Sequence, residues 1–265
     1  MNVGAGTRAL VTGASRGIGR ALAERLAARG ATVGLLARSE SELEALADVL
    51  PGDHVVLGGV DVGDRASVEG AVARFAERAG GIDLVVSNAG LTHYELVREQ
   101  SVDHMEEMTR VNWLGTVYTV KSALPTLLRQ GSGHVVVVSS GAGHRSFPQA
   151  AVYGATKAAQ RMFGEALRHE LAGTGVSLTM VYPGEIATSL HDHEKERMPS
   201  WYKGGPNAAP ARSMADKIIT GIEEDARSVY HPPIVRLLGA VHGLSPAAGD
   251  RMLRILRGPS AAPRR

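Results

Sequence analysis

Two kinds of hydrophobic pattern alternate along most of the chain: short apolar runs, and longer segments in which apolar residues recur at helical spacing. Short apolar runs, such as residues 8–12 and the four valines at 135–138, have the length and β-branched content of buried strands. Longer segments between them, such as residues 65–79, carry apolar side chains at helical spacing. Regular alternation of strand and helix predicts an α/β fold: a Rossmann-like, doubly wound parallel sheet between two helical layers, a three-layer αβα sandwich.

The periods also give approximate bounds for each element. Strands are predicted at residues 8–12, 31–37, 55–57, 82–87, 135–140, 176–182 and 228–230. Helices are predicted at residues 20–29, 41–50, 65–79, 101–129, 153–172 and 214–224. Together they predict one domain over residues 1–230 with a substrate loop at about 186–210, and a small helical extension of that domain over residues 231–265.

Composition narrows the possible functions. The 265 residues are 44% hydrophobic, carry a formal net charge of +2 and include no cysteine. The small charge gives no electrostatic case for nucleic acid, and the lack of cysteine excludes disulfides and thiolate chemistry. The start of the chain does not have the pattern of a signal peptide, and no apolar run approaches a membrane span. We therefore expect a cytoplasmic protein.

A glycine-rich turn follows the first strand. Gly13, Gly17 and Gly19 stand between that strand and a helix, where a pyrophosphate could approach backbone N–H groups at the positive end of the helix. The spacing differs from the common Gly-x-Gly-x-x-Gly pattern, so the turn alone is only moderately specific.

The second strand ends without the carboxylate that binds the ribose of NAD(H). Arg38 and Ser39 occupy that place, and Arg16 lies within the glycine turn. Arginine pairs well with a 2′-phosphate, whereas each residue could equally be a solvated surface charge. The two arginines together favour NADP(H), with NAD(H) as the alternative.

A hydroxyl, a phenol and an amine are predicted to converge on one pocket. Ser140 follows the valine run, and Tyr153 and Lys157 lie four residues apart, on one face of the next helix. An ammonium beside a phenol favours the phenolate, so we expect a lowered Tyr153 pKa and a role in proton transfer. Tyr-x-x-x-Lys alone also occurs by chance on surface helices.

These motifs agree in order and spacing with one known family. Over roughly residues 7–190 the chain resembles the short-chain dehydrogenases/reductases, on residues 12–19, Asp61-Val62, Asn88-Ala89-Gly90, Asn112, Ser140, Tyr153, Lys157, Pro183-Gly184 and Thr188. The resemblance implies a nicotinamide cofactor and reversible carbonyl/alcohol chemistry on a small molecule.

The resemblance also implies a role for each matching residue. Tyr153 would be the general acid/base, Lys157 would bind the nicotinamide ribose and lower the Tyr153 pKa, Ser140 would contact the substrate oxygen, and Asn112 would hold a water in a proton relay. Asn88 would support the sheet beside the cofactor. The remaining expected cofactor-binding residues are Gly13, Ser15, Arg16, Gly17, Ile18, Gly19, Arg38, Ser39, Asp61, Val62, Ala89, Gly90, Pro183, Gly184, Ile186 and Thr188.

The end of the chain departs from one branch of that family. Bacterial 3-oxoacyl carrier-protein reductases end in a segment like Val-Asp-Gly-Gly, which this sequence lacks. We therefore expect reduction of some other, apolar carbonyl compound. The alternatives are a 3-oxoacyl-thioester reductase and a cofactor-binding regulator without turnover.

Weaker candidates surround the expected pocket. His191 and His193 diverge on a helix and have no evident third ligand, so no metal site is predicted. Trp201 and Tyr202, and likewise His93 and Phe147, could contact an apolar substrate or only support a loop.

Two surfaces indicate contact with larger partners. Helix 153–172 carries Met162, Phe163, Ala166 and Leu167, and the family pairs this helix between subunits, so we expect a homodimer or homotetramer. Apolar residues from 234 onward alternate with arginines. That extension is expected to pack on the protein or on a partner subunit, with peripheral contact to an anionic membrane as the alternative.

Overall fold

The structure is a computed structural model that describes residues 1–190, 198 and 208–258. Its strands are β1 Arg8–Thr12, β2 Thr32–Leu36, β3 Val55–Leu57, β4 Leu84–Ser87, β5 Gly133–Val138, β6 Val176–Pro183, β7 Ile186–Ala187, β8 Ala209–Pro210 and β9 Ser228–His231. Its α-helices are α1 Gly17–Ala27, α2 Glu40–Ala47, α3 Arg65–Ala79, α4 Val102–Met108, α5 Gly115–Gln130, α6 Ala151–Glu170, α7 Ala211–Glu223, α8 Ile234–Leu244 and α9 Pro246–Arg257.

The described residues form a seven-stranded, all-parallel sheet in the order β3-β2-β1-β4-β5-β6-β9. The direction of winding reverses between β1 and β4, and this switch point opens a crevice at the carboxyl ends of the strands. The sequence prediction of a doubly wound parallel sheet is confirmed. Within the described ranges, the residues singled out for chemistry lie at or after one of these strand ends or on the helical segment that follows.

Helices cover both faces of the sheet. One apolar core joins the sheet to α1, α2 and α7, and the other joins it to α3, α5 and α6. The valines of β5 alternate between them: Val135 and Val137 pack into one core, Val136 and Val138 into the other. A strand that is buried on both faces reads as a continuous apolar run, which explains the four valines.

Two elements differ from the sequence prediction near the crevice. Strand β5 ends at Val138, so Ser140 lies two residues past it, in extended backbone that starts a 3₁₀ turn at Gly141–Gly143. The helix predicted over residues 101–129 is interrupted by a π-helical segment, Thr109–Leu114. Within it the Asn112 carbonyl accepts hydrogen bonds from Thr116 Oγ1 and Gln160 Nε2, both at 2.9 Å, and these side chains stabilise the irregular turn.

The exposed apolar surface expected on α6 is smaller than the sequence indicated. Leu167 is buried in the core, and Phe163 is half-buried with its ring 5.6 Å from that of Trp113. Met162 and Ala166 are exposed. The prediction was wrong for Leu167 because the sheet, which helical spacing alone does not locate, covers more of this helix.

The C-terminal segment packs against the crevice. Val235 of α8 reaches the glycines of two strand ends: a Cβ at Gly141 would lie 2.9 Å from Val235 Cγ1, and one at Gly184 would lie 2.6 Å from Cγ2. Helix α9 returns along α8. None of the described helices is long and apolar enough to cross a membrane.

Candidate active site

A cavity of about 770 Å³ occupies the crevice. Nearly all the predicted residues line it: Gly13, Ser15, Arg16, Gly17, Ile18, Arg38, Ser39, Asp61, Val62, Asn88, Ala89, Gly90, Ser140, Tyr153, Lys157, Pro183, Gly184, Ile186 and Thr188. Gly19 and Asn112 do not line the cavity and lie behind the residues that do. The tertiary structure therefore brings together residues that are spread over 175 positions of sequence, from 13 to 188.

The glycine turn makes room for a ligand at the start of α1. Gly13 and Gly17 have φ angles of 67° and 59°, in the left-handed region that favours glycine. Gly19 packs so closely on the Gly13 carbonyl that a Cβ would collide with it. Arg16 precedes α1 without capping it through its side chain. Uncapped N–H groups at a positive helix end fit the pyrophosphate of a dinucleotide.

Strands β1 and β4 are joined beside this turn. Thr12 Oγ1 accepts hydrogen bonds from the backbone N–H groups of Asn88 and Ala89, at 2.9 and 3.0 Å. Asn88 Nδ2 donates to the Thr12 carbonyl at 2.9 Å. The strand ends on both sides of the switch point are therefore fixed relative to each other, which keeps the floor of the cavity rigid.

The end of β2 carries charges of both signs. Arg38 and Ser39 line the cavity, as the sequence predicted, but so does Glu42 from the first turn of α2. Sequence reasoning missed Glu42 because it looked for a carboxylate only at the strand end. Asp61, which follows the neighbouring strand β3, also lines the cavity and accepts a hydrogen bond from the Gly63 backbone N–H at 2.8 Å.

Ser140, Tyr153 and Lys157 meet near the centre of the cavity. The Ser140 hydroxyl lies close enough to the Tyr153 phenol to act on the Tyr153 pKa. Lys157 lies one turn along α6, with Nζ 5.8 Å from the centre of the Tyr153 ring, and it donates to the Val138 carbonyl at 3.1 Å. This is the juxtaposition expected from the Tyr-x-x-x-Lys spacing on a helix.

Burial changes the pKa of both groups in the direction that favours the neutral form. It raises the pKa of Tyr153, and the nearby Ser140 hydroxyl only partly opposes this. It lowers the pKa of Lys157 to about 7. The expected lowering of the Tyr153 pKa by Lys157 is thus not found in the protein alone. The reason is that removal of the Tyr153 phenol from water disfavours the charged phenolate, and this is the largest effect on its pKa.

Asn112 is fully buried behind Gly90. Its Oδ1 accepts from the Leu91 N–H at 2.8 Å, and its Nδ2 donates to the Leu91 carbonyl at 2.9 Å and to Thr156 Oγ1 at 3.1 Å. A point beside Gly90, where a Cβ would stand, is 3.1 Å from Asn112 Oδ1 and 3.4 Å from Lys157 Nζ. The two side chains therefore approach the same small space.

The C-terminal helices form an apolar roof that sequence motifs did not reveal. The cavity is lined there by Ile234, Val235, Leu238, Leu253 and Leu256, opposite Leu91, Tyr94 and Phe147. Arg145 also lines the cavity, and it makes an ion pair with Asp250 of α9 at 2.6 Å. Amphipathic spacing after residue 234 was the available signal for a roof, but it does not tell which surface the helices cover.

The weaker candidates have different outcomes. Phe147 lines the cavity, whereas His93 pairs through Nε2 with Glu107 at 2.9 Å and stacks on His104 at 4.0 Å. Among the described residues no group of three His, Asp or Glu side chains could hold a metal ion. His191, His193, Trp201 and Tyr202 lie outside the described residues.

Comparison with known proteins identifies the family. Residues 7–199 match the family model described as short chain dehydrogenase. An uncharacterized oxidoreductase of Staphylococcus aureus strain MRSA252 is 37% identical over 182 residues, which are 69% of this chain and 79% of that protein. The glycine betaine reductase of Emericella nidulans is 42% identical over 187 residues, which are 70% of this chain but only 15% of that enzyme.

Solved structures agree with this match. An alcohol dehydrogenase of the archaeon Thermococcus sibiricus, in complex with 5-hydroxy-NADP, is 30% identical with a TM-score of 0.75, over 84% of this chain and 94% of that one. A short-chain dehydrogenase/reductase of Burkholderia phymatum, in complex with NAD, covers 100% of both chains with a TM-score of 0.83 at 24% identity, a likeness of fold.

The fold and the cavity define a dinucleotide-binding α/β oxidoreductase. The chain belongs to the short-chain dehydrogenase/reductase family, and it is an enzyme that acts on CH–OH or C=O groups with a nicotinamide cofactor.

Proposed function

We propose that the protein is an NADP(H)-dependent oxidoreductase that interconverts a carbonyl group and a secondary alcohol on an apolar substrate. The observation that carries this proposal is that Ser140, Tyr153 and Lys157 meet in the same cavity as the glycine turn, with Lys157 Nζ 5.8 Å from the centre of the Tyr153 ring. The cofactor, when bound, supplies or accepts the hydride. The protein holds the reactants and moves the proton.

Tyr153 is the proposed general acid/base, and Ser140 the proposed hydrogen-bond partner of the substrate oxygen. A neutral phenol is the form that can donate, and burial keeps Tyr153 in that form at neutral pH. Lys157 is proposed to bind the nicotinamide ribose. The space beside Gly90 that Asn112 Oδ1 and Lys157 Nζ approach is a suitable place for the water of a proton relay.

The other residues along the cavity are proposed to bind the cofactor. The glycine turn, with Ser15 and Ile18, would take the pyrophosphate, and Asp61 and Val62 would flank the adenine. Asn88 would support the sheet beside the cofactor, and Ala89 and Gly90 would contact the cofactor there. Pro183, Gly184, Ile186 and Thr188 would hold the nicotinamide at the end of β6, with Thr188 at its carboxamide.

The preference for NADP(H) rests on Arg38 and Arg16. Both line the cavity, where guanidinium groups could pair with a 2′-phosphate. Glu42 weakens this argument because its carboxylate lies at the same end. Asp61 follows the neighbouring strand and lines the cavity as well, so the preference for NADP(H) rests on the capacity of two guanidinium groups to pair with a 2′-phosphate and not on net charge.

An apolar substrate fits the roof of the cavity. Leucines and aromatic rings surround the space in front of Tyr153, and Tyr94 stands edge-on to the Tyr153 ring at 6.4 Å. Because α8 and α9 supply this surface, we treat residues 231–265 as an extension of the domain formed by residues 1–230. A 3-oxoacyl thioester is the alternative substrate; a regulator without turnover is disfavoured by the presence of Ser140, Tyr153 and Lys157.

The family resemblance also supports a homodimer or homotetramer. The family commonly pairs the helix that carries Tyr153, and the helical stretch that carries Asn112 and continues into α5, between subunits. Met162 on α6 and Leu128 on α5 are exposed. A cytoplasmic location stays a prediction from sequence.

A panel of aldehydes and ketones with NADPH and NADH tests the proposal. We expect oxidation of NADPH, followed by absorbance, with at least one apolar carbonyl compound. Tyr153→Phe should abolish turnover on that compound and leave NADPH binding nearly unchanged, because the phosphate and adenine contacts lie elsewhere. A Tyr153→Phe variant with near wild-type turnover would contradict the proposed mechanism.

A further inference from the structure

The roof of the cavity has an outer surface that is unusually apolar. Of the eleven large apolar side chains that are exposed in the described residues, five lie on α8 and α9. Leu244 is 89% exposed and Ile255 is 77% exposed; the other three are Ile234, Leu237 and Leu256. We call these five residues the C-terminal patch. A concentration of this kind marks an interaction surface, since scattered single residues would need no explanation.

The patch is a regular feature of two well-packed helices. Ile234, Leu237 and Leu244 follow the i, i+3, i+10 spacing of one helical face. The other face of α8 is anchored, with Val235 in the core and Leu238 on the cavity. Helix α9 is anchored in the same way through the buried Leu253. The exposed side chains are therefore held outward by helices whose inner faces are occupied.

Positive charge accompanies the patch on the same two helices. Arg236 on α8 and Arg251 on α9 are both exposed. Asp250, the one acidic residue in residues 232–265, is engaged by Arg145 at 2.6 Å. Its negative charge is thus compensated by Arg145, and no other carboxylate of α8 or α9 offsets the exposed arginines.

The patch is continuous with the cavity. Ile234 and Leu256 are both partly exposed, and both also line the cavity. An apolar molecule could pass from outside the protein to the space before Tyr153 along leucine and isoleucine side chains. This continuity connects the outer surface to the proposed chemistry.

We propose that the C-terminal patch docks on the surface of an anionic lipid bilayer, and that the substrate enters the cavity from that bilayer. Exposed Leu and Ile would enter the headgroup region while the arginines meet lipid phosphates. A second copy of the chain fits less well, because a two-fold contact would oppose the patch to itself and bring its arginines together. Docking stands by itself; the entry of substrate rests on the proposed function.

Sedimentation with vesicles tests the docking. We expect the intact protein to sediment with phosphatidylglycerol/phosphatidylcholine vesicles, less with phosphatidylcholine alone, and less at high salt, which screens the arginines. Leu244→Ser/Ile255→Ser should weaken binding by about tenfold or more. Arg236→Gln/Arg251→Gln should weaken it by a similar factor on anionic vesicles only.

A matched control separates the patch from apolar exposure in general. Val49→Ser/Val102→Ser removes two exposed side chains outside α8 and α9 and should leave vesicle binding unchanged. The proposal is overturned if the intact protein does not sediment with anionic vesicles. It is also overturned if the two double serine variants weaken vesicle binding by the same factor. It is also overturned if Leu244→Ser/Ile255→Ser lowers the mass in solution while no vesicle binding exists, since the patch would then join subunits.

A second arm tests entry from the bilayer. Neither Leu244 nor Ile255 lines the cavity, so Leu244→Ser/Ile255→Ser should reduce the water-soluble ketone butanone at the wild-type rate. With a methyl ketone of long alkyl chain partitioned into anionic vesicles, we expect its kcat/KM to fall by about tenfold. Equal loss on both ketones would contradict entry from the bilayer. If the wild type reduced no carbonyl compound, the proposed function would fail, while the sedimentation result would still decide the docking.

Discussion

Burial shifts the pKa of the Tyr153 phenol and the pKa of the Lys157 amine in opposite directions. Burial raises the pKa of the phenol and lowers that of the amine to about 7. Near neutral pH the phenol is therefore protonated, and the amine is close to half-charged. Any positive charge that binds beside them would favour the phenolate and disfavour the ammonium. At the residue scale, the proton chemistry of this site is thus sensitive to the charge of what fills the cavity.

Cofactor choice is also decided by single residues. Arg38→Asp places a carboxylate where a 2′-phosphate would bind, so we expect the NADPH dissociation constant to rise by at least about tenfold. The NADH constant should change much less. Fluorescence titration with both cofactors measures this difference. Equal dissociation constants for NADPH and NADH in the unchanged protein would contradict the assignment.

Glu42→Gln provides the matched control for that experiment. It removes the carboxylate that lies at the same end of the cavity as Arg38. NADPH binding should become tighter or stay the same, opposite in direction to Arg38→Asp. A weaker NADPH complex in Glu42→Gln would mean that charge at this end does not control cofactor choice.

At the scale of elements, one ion pair attaches the roof to the catalytic turn. Arg145 follows the 3₁₀ turn after Ser140, and Asp250 lies in the second turn of α9. The Arg145 side chain is 8% exposed and that of Asp250 28%, so the pair is largely removed from water. Loss of one partner leaves a buried charge without compensation, which costs far more than loss of a surface pair. The position of α9 over the cavity therefore depends on these two side chains.

Asp250→Asn should loosen α9 more than the rest of the protein. We expect a loss of about 2 kcal/mol, below the value for a fully buried pair because Asp250 is partly solvated. Hydrogen exchange should accelerate selectively in residues 246–256. Glu223→Gln breaks the exposed Arg29–Glu223 pair and should cost less than about 1 kcal/mol. Equal costs for the two variants would show that the roof does not depend on Asp250.

At the scale of the whole molecule, the two ends of the parallel strands have different roles. The carboxyl ends of the strands form the cavity, while the opposite ends are closed by packing. His134 lies at that opposite end, buried between β4 and β6, with Nε2 2.8 Å from Thr179 Oγ1. Burial lowers its pKa to about 4, so the folded protein keeps this imidazole neutral.

This histidine makes global stability depend on pH. The unfolded chain binds a proton at His134 below about pH 6.5, whereas the folded protein does so only near pH 4. The contribution of neutral His134 to the free energy of unfolding is therefore fully present above about pH 6.5. It decreases by about 3 kcal/mol as the pH falls to about 4. Urea unfolding across that range measures the slope. His134→Gln should have a shallower slope, and an unchanged slope would exclude His134 as the cause.

Assembly belongs to the same scale. We expect light scattering at micromolar concentration to give the mass of a dimer or tetramer, and Met162→Asp to lower it, because a charge on the exposed face of α6 would be buried at the interface. Ala166→Ser on the same exposed face is the mild control. A monomeric mass for the unchanged protein would contradict the proposed homo-oligomer.

Sequence by itself determined the fold class, most element bounds and the floor of the cavity. Strand β1 and helix α3 were predicted at their observed bounds, because period and end signals are local properties of the chain. The glycine turn and the Tyr-x-x-x-Lys pair were recognisable for the same reason, because each motif consists of residues that lie only a few positions apart.

Only the tertiary structure decided what packing and burial control. It interrupted the long helix at Asn112, covered Leu167, brought Glu42 beside Arg38 and laid α8 and α9 over the cavity. It also raised the Tyr153 pKa, which the sequence had predicted to be lowered, because desolvation depends on how many atoms surround a group. Spacing along a chain specifies which residues can share a face, but the dielectric environment and the partners of that face come from the rest of the molecule.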